Sequence, residues 1–195
     1  MTASTDPVEL LERAIGYTRG TLSGVRDELL TRPTPCSQWS LADLLAHMAD
    51  SLDALTEASR GVIAIAPAPV VSAAGVGVLR DKACHLLGAW SNPHATEARL
   101  GPARIESRVL LHAGALEIAV HGWDVGQATG TGEPIPEALA TALLSAAPHL
   151  ITRADRPSRF GPPTPTTGGA PSSALLLSFT GRHTGCPASQ PGLGP

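Results

Sequence analysis

The sequence predicts an all-α protein: a four-helix bundle with shorter helices added and an irregular C-terminal tail. Three observations carry this. Apolar residues recur at helical spacing through long stretches. Those stretches begin at capping signals, Asp6-Pro7 and Ser40 with Asp43, and stop at prolines or glycines. One of them, Val109 to Gln127, contains no proline, so one helix can run through it with Gly114 and Gly122 as its weak points. At 195 residues the chain suffices for one domain with a sizeable core.

Asp6 caps a first helix, with Pro7 at its first position, where a missing N–H costs nothing. Leu10, Leu11, Ala14, Ile15, Leu22, Val25 and Leu29 give its buried face, and it should stop before Pro33. Gly16, Gly20 and Gly24, four apart, are read as permitting close helix approach. After a loop over Thr34–Trp39, Ser40 and Asp43 form a capping box for a second helix reaching about Arg60, striped by Leu41, Leu44, Leu45, Met48, Leu52 and Leu55. Gly61 to Leu79 is almost wholly apolar, but Pro67, Pro69 and its glycines break it, so it reads as a crossover and a cavity wall rather than a membrane span. A third helix is expected from near Ser72 to before Pro93. A loop over Asn92–Pro102 then leads to the central helix from about Ala103 to Thr129. Pro136 opens another helix that Pro148 should kink or shorten. Residues 154–173 should lie irregularly across the surface, and Ala174 to Gly181 should form a last short helix. Residues 1–182 are expected to be one helical domain and 183–195 a disordered tail.

Charge and cysteine content narrow the function. A net charge of −3 offers nothing to nucleic acid or to an acidic membrane. The three cysteines, Cys36, Cys84 and Cys186, form no CxxC pair, so neither a disulfide framework nor a cysteine zinc site is indicated. The N-terminus lacks a signal-peptide pattern, and a reducing cytoplasm is the expected compartment.

The chemistry centres on EIAVHGWD, Glu117 to Asp124. Residues four apart on a helix lie one above the other, so Glu117 and His121 point the same way in an apolar stretch. Burying a carboxylate and an imidazole together requires a charged or hydrogen-bonding partner, and a divalent metal would serve. His47, at the core edge of the second helix, is the candidate third ligand, with Asp43 or Asp50 to orient its free ring nitrogen. Zinc suits this donor set, and three protein ligands leave one position open for chemistry. Trp39, Trp123 and Asp124 read as packing residues, with Asp124 serving a backbone group or a histidine. His85, His112 and His149 lack ligand-spaced partners. Cys36 reads as an inert, partly buried thiol. Arg80, Lys82, Arg104 and Arg108 read as a solvated face, with an anionic thiol or substrate as the alternative role.

The motifs PTPCSQWSLADLLAHMAD, ALEIAVHGWDVGQATG, RFGPP and LLLSFTGR, in this order, resemble the DinB-like superfamily. More narrowly they resemble the N-terminal domain of mycothiol-dependent maleylpyruvate isomerase and its small stand-alone relatives. The resemblance spans residues 7 to about 182. It implies a four-helix bundle holding a divalent metal, usually zinc, and low-molecular-weight thiol chemistry in which the metal lowers the thiol's pKa. Matched motif by motif, its metal ligands fall on His47, Glu117 and His121. The isomerase has a further C-terminal domain that contributes to its site; here LLLSFTGR is followed by the idiosyncratic RHTGCPASQPGLGP. The expected activity is thiol transfer to a small apolar electrophile, or thiol-assisted isomerisation, with mycothiol as the implied co-substrate. The alternatives are a metal-dependent hydrolase or lyase without a thiol, and a non-catalytic bundle that binds a small molecule. A homodimer is compatible with either reading.

Overall fold

The computed structural model describes residues 6–36, 39–64, 75–156 and 158–183. Helix α1 spans Pro7–Leu22 and α2 Leu41–Ala58. Strand β1 is Val62–Ile63, α3 is Val76–Ser91, and β2 and β3 are Glu97–Leu100 and Ala103–Glu106. Helix α4 spans Ser107–Thr129, α5 Glu137–Leu150 and α6 Ser172–Phe179.

The caps act as their residue types dictate. The Asp6 carboxylate accepts from the Val8 N–H, and Ser40 and Asp43 cap α2 reciprocally. Helices α1 to α4 form the bundle, with α4 packed against α1, α2 and α5. Because it is enclosed on several sides, α4 is buried almost all round from Gly114 to Gly126. Leu10 and Leu11 of α1, Leu41 and Leu44 of α2 and Leu86 of α3 are fully buried. Each such side chain contributes roughly 1.5–3 kcal/mol of apolar burial.

Gly122 decides how closely α1 and α4 approach. A Cβ there would stand 3.2 Å from the Thr18 Cα and closer still to its hydroxyl. That hydroxyl donates to the Ile118 carbonyl at 2.8 Å, tying the helices at their crossing. Gly24 is also closely approached, by Thr131, whereas no described residue stands within 4 Å of a Cβ at Gly16 or Gly20, so neither mediates a close helix contact among the described residues.

Several boundaries differ from expectation. Helix α1 ends at Leu22; Ser23 caps it by donating to the Gly20 carbonyl at 2.6 Å, and Asp27–Leu29 form a separate 3-10 turn. Helix α3 starts at Val76 rather than Ser72, and residues 65–74 of the apolar crossover lie outside the described residues. Its described start pairs as β1 with β2, Val62 is 48% exposed, and neither Val62 nor Ile63 borders the bundle cavity between α1, α2, α3 and α4. The small sheet, ordered β1-β2-β3, was not anticipated. It replaces an expected loop and the first turn expected of the central helix. Ala98, buried in β2, pairs with Ile105 across an antiparallel hairpin that turns at Gly101-Pro102. Helix α5 runs through Pro148 to Leu150, and Pro148 gives up its own i→i−4 bond in the last turn.

The proline-rich segment after α5 is strapped onto α6. Glu137 caps α6 by accepting from the backbone N–H groups of Ser172 and Ser173 at 2.8 and 3.2 Å. The Thr164 N–H donates to the Ser178 carbonyl at 3.1 Å, and the Thr164 hydroxyl donates to the Arg182 carbonyl at 3.0 Å. This strap fixes the backbone that sends Arg182 back into the bundle.

Candidate metal centre

Helices α2 and α4 bring His47, Glu117 and His121 together, as their spacing predicts. Each offers one ligand atom, and these atoms lie within 4.8 Å of one another. The Glu117 Oε1 stands 2.5 Å from the His47 Nε2 and 3.2 Å from the His121 Nε2. The Ser51 hydroxyl donates to the same oxygen at 3.4 Å. The Trp39 indole, carried in by the loop before α2, lies 4.6 Å from the His47 ring and 6.1 Å from the His121 ring. It forms an apolar wall beside both imidazoles, beyond the packing role expected at the entry to α2.

Behind the cluster stands a buried ionic relay. The His121 Nδ1 lies 2.9 Å from the Asp124 Oδ2, and the Arg182 guanidinium donates to the same oxygen at 2.8 Å. Asp124 is fully buried, and Arg182 nearly so. A buried carboxylate is tolerable here because an imidazole and a guanidinium satisfy it. Asp124 thus serves a histidine, one of its two expected roles. Its arginine partner lies 58 residues away in sequence, where spacing rules carry no signal. The expected orientation of His47 by Asp43 or Asp50 is not found: Asp43 is engaged with Ser40, and both carboxylates are exposed.

Proton affinities follow from these contacts. Burial opposes ionisation of Glu117, but the charges and hydrogen bonds of His121 and His47 outweigh it and hold its carboxyl well below the usual range. Burial likewise disfavours the His121 cation, yet Glu117 and the Asp124 hydrogen bond push its pKa up to about 9. Asp124 is lowered against its burial by His121 and Arg182. In the metal-free chain, therefore, a proton occupies the ground a cation would take. Burial raises the Cys36 thiol and outweighs the Arg182 charge near it, which agrees with an inert cysteine.

The donor set fits a divalent ion. Two imidazoles and one carboxylate form an ordinary catalytic zinc shell, and a ligating histidine characteristically donates its other N–H to a carboxylate, as His121 is placed to do. Among the described residues no fourth protein ligand joins the three. The His112 ring bonds the Arg108 carbonyl at 2.7 Å one turn back, and His85 and His149 are exposed; none joins the cluster.

A cavity of about 240 Å³ opens between α1, α2, α3 and α4 and reaches Glu117 and Ser51. Its walls include Ile15, Leu22, Met48, Leu52, Leu79 and Leu87. Cys84, exposed on α3, also borders it.

Residues 11–126 match the family described as the mycothiol maleylpyruvate isomerase N-terminal domain. The chain belongs to that family. This is a DinB-like helical domain, in keeping with the four-helix core and the convergence of α2 and α4. Uncharacterized proteins of Mycobacterium tuberculosis, from strains CDC 1551 / Oshkosh and ATCC 25618 / H37Rv, are each 26% identical over 179 residues. The alignment covers 91% of this chain and 98% of each relative. No solved structure matches at a significant level. Among the described residues no helix is long and apolar enough to cross a membrane.

Proposed function

We propose that this family member is a metal-dependent enzyme that transfers a low-molecular-weight thiol of the mycothiol type to a small apolar electrophile, or uses such a thiol to assist an isomerisation. The observation that carries the reading is the convergence of His47, Glu117 and His121 beside an apolar cavity, with three donors and no fourth among the described residues. In this reading the three residues hold zinc, and residues up to 182 act as one unit because Arg182 closes onto Asp124.

Each residue has a definable task. Asp124 accepts the Nδ1–H of His121, fixing the tautomer that presents Nε2 to a cation. Arg182 keeps Asp124 ionised, and the strap through Thr164 keeps Arg182 in place. Trp39 shields the imidazoles from water on one side. A divalent ion held by this set would supply a Lewis acid able to lower a thiol's pKa or polarise a carbonyl. The apolar walls would gather the electrophile beside it.

The test is turnover by purified protein, with and without mycothiol, against a panel of electrophiles, with His47→Ala as control. Thiol-dependent turnover lost in His47→Ala is the expected result. Turnover that ignores the thiol but needs metal would replace this reading with a hydrolase. Turnover fully retained in His47→Ala would remove the proposed centre altogether.

A further inference from the structure

Arg19 of α1 and Arg80 of α3 both border the bundle cavity, and the same two arginines border a shallow notch outside it completed by Gly16 and Gly20. The two glycines carry no side chain into that notch, and no described residue stands within 4 Å of where their Cβ atoms would be. They keep the ground beside the guanidiniums open.

Both arginines are exposed, and among the described residues neither has a carboxylate or carbonyl partner. The neighbouring cations differ: Lys82 is paired with Asp53 and Arg104 with Glu97. No residue outside the described set is an aspartate or glutamate, so no acidic side chain there pairs with either guanidinium. The cavity lining brings together two cations that are unpaired among the described residues, apolar walls from Ile15, Leu52, Leu79 and Leu87, and Glu117 of the proposed metal centre. A cavity of about 150 Å³ holds a benzene ring, so 240 Å³ accommodates an aromatic ring or a short alkyl chain.

We propose that Arg19 and Arg80 form an anion-binding subsite, and that the cavity takes an amphipathic carboxylate with its charged head on this arginine pair and its apolar body pointing toward Glu117. This rests on the proposed function for the statement that the occupant is the substrate; the subsite itself does not depend on metal. Arginine is suited to the role because its planar donors match a carboxylate and stay charged at any physiological pH.

The experiment uses 4-phenylbutyrate, its neutral isostere 4-phenylbutanol, and the alkylation rate of Cys84, which borders the cavity and reports on its occupancy. Labelling by N-ethylmaleimide is followed by mass spectrometry of the Cys84 peptide, on zinc-loaded and on chelated protein. Phenylbutyrate should protect Cys84 at about tenfold lower concentration than the alcohol, the scale of charge-assisted bonds at a partly exposed site. Arg19→Gln with Arg80→Gln should abolish that preference and leave protection by the alcohol unchanged. Chelation should leave the preference in place. Equal protection by acid and alcohol overturns the subsite. So does a preference that survives the double substitution, or one that vanishes with the metal, since the carboxylate would then sit at the metal centre. A preference retained in protein that never turns over thiol upholds the subsite while removing the proposed function, so the two fail separately.

Discussion

Asp124→Asn tests the relay behind the candidate metal centre. The substitution keeps the shape of the side chain but removes the charge that faces both His121 and Arg182. His121 and the Arg182 terminal nitrogen share Oδ2, so an amide oxygen there could still accept from both, but the N–H₂ would then face the Arg182 Nε–H and the negative charge that offsets both cations would be gone. Arg182 is 7% exposed and would be left buried with its charge uncompensated. Breaking a buried pair from one side costs about 3–5 kcal/mol, a large share of the roughly 5–15 kcal/mol by which a domain is stable. His121 would also lose the acceptor that fixes its tautomer, which costs about 10–100-fold in metal affinity. The assay pairs urea denaturation of the metal-free protein with zinc titration against a chromophoric chelator. Asp43→Asn is the control: that exposed carboxylate completes the capping box of α2 and touches no imidazole, so it should cost little stability and leave zinc affinity unchanged. If Asp124→Asn changes neither stability nor zinc affinity beyond the Asp43→Asn control, the relay has no energetic role and the reasoning fails.

Zinc uptake at pH 7.5 should release about one proton, because the metal displaces the one His121 holds with its pKa near 9; calorimetry in buffers of different ionisation enthalpy measures this, and release should fade above pH 9. In the metal-free protein the His121 contribution to stability has the sign of a raised pKa: present in full below about 6.5 and lost as pH rises through about 9, so urea midpoints should fall across that window. Gly122→Ala should cost about 1–3 kcal/mol, since its Cβ has no room against Thr18, whereas Gly16→Ala should be neutral or stabilising; thermal melts separate the two. Chelated protein should stay helical by circular dichroism at room temperature and lose turnover, because the apolar core is complete without an ion.

The bundle was legible because helices announce themselves locally. Asp6-Pro7, the Ser40–Asp43 box and the leucine stripe of α2 all act over a few residues, and the structure repeats them closely. Glu117 and His121 were readable for the same reason, one turn apart on one helix. The hairpin of β2 and β3 was not, because EARLGPARIE has few β-branched residues and depends on pairing that spacing alone does not signal. The Gly16–Gly20 interval was misread as helix contact: what stands opposite a glycine is a tertiary fact. The Arg182–Asp124 pair and the Trp39 contact with the histidines escaped in the same way, since both residues come from loops outside α2 and α4.

The central claim is that His47, Glu117 and His121 together hold the metal. X-ray absorption on zinc-loaded protein, freed of small thiols, tests it most directly. The account predicts about one zinc per chain with only nitrogen and oxygen neighbours, at about 2.0–2.2 Å, two of them with the scattering pattern of imidazole. A sulfur neighbour near 2.3 Å, which only a cysteine could then supply, or a His121→Ala variant that keeps its zinc in full, would contradict it.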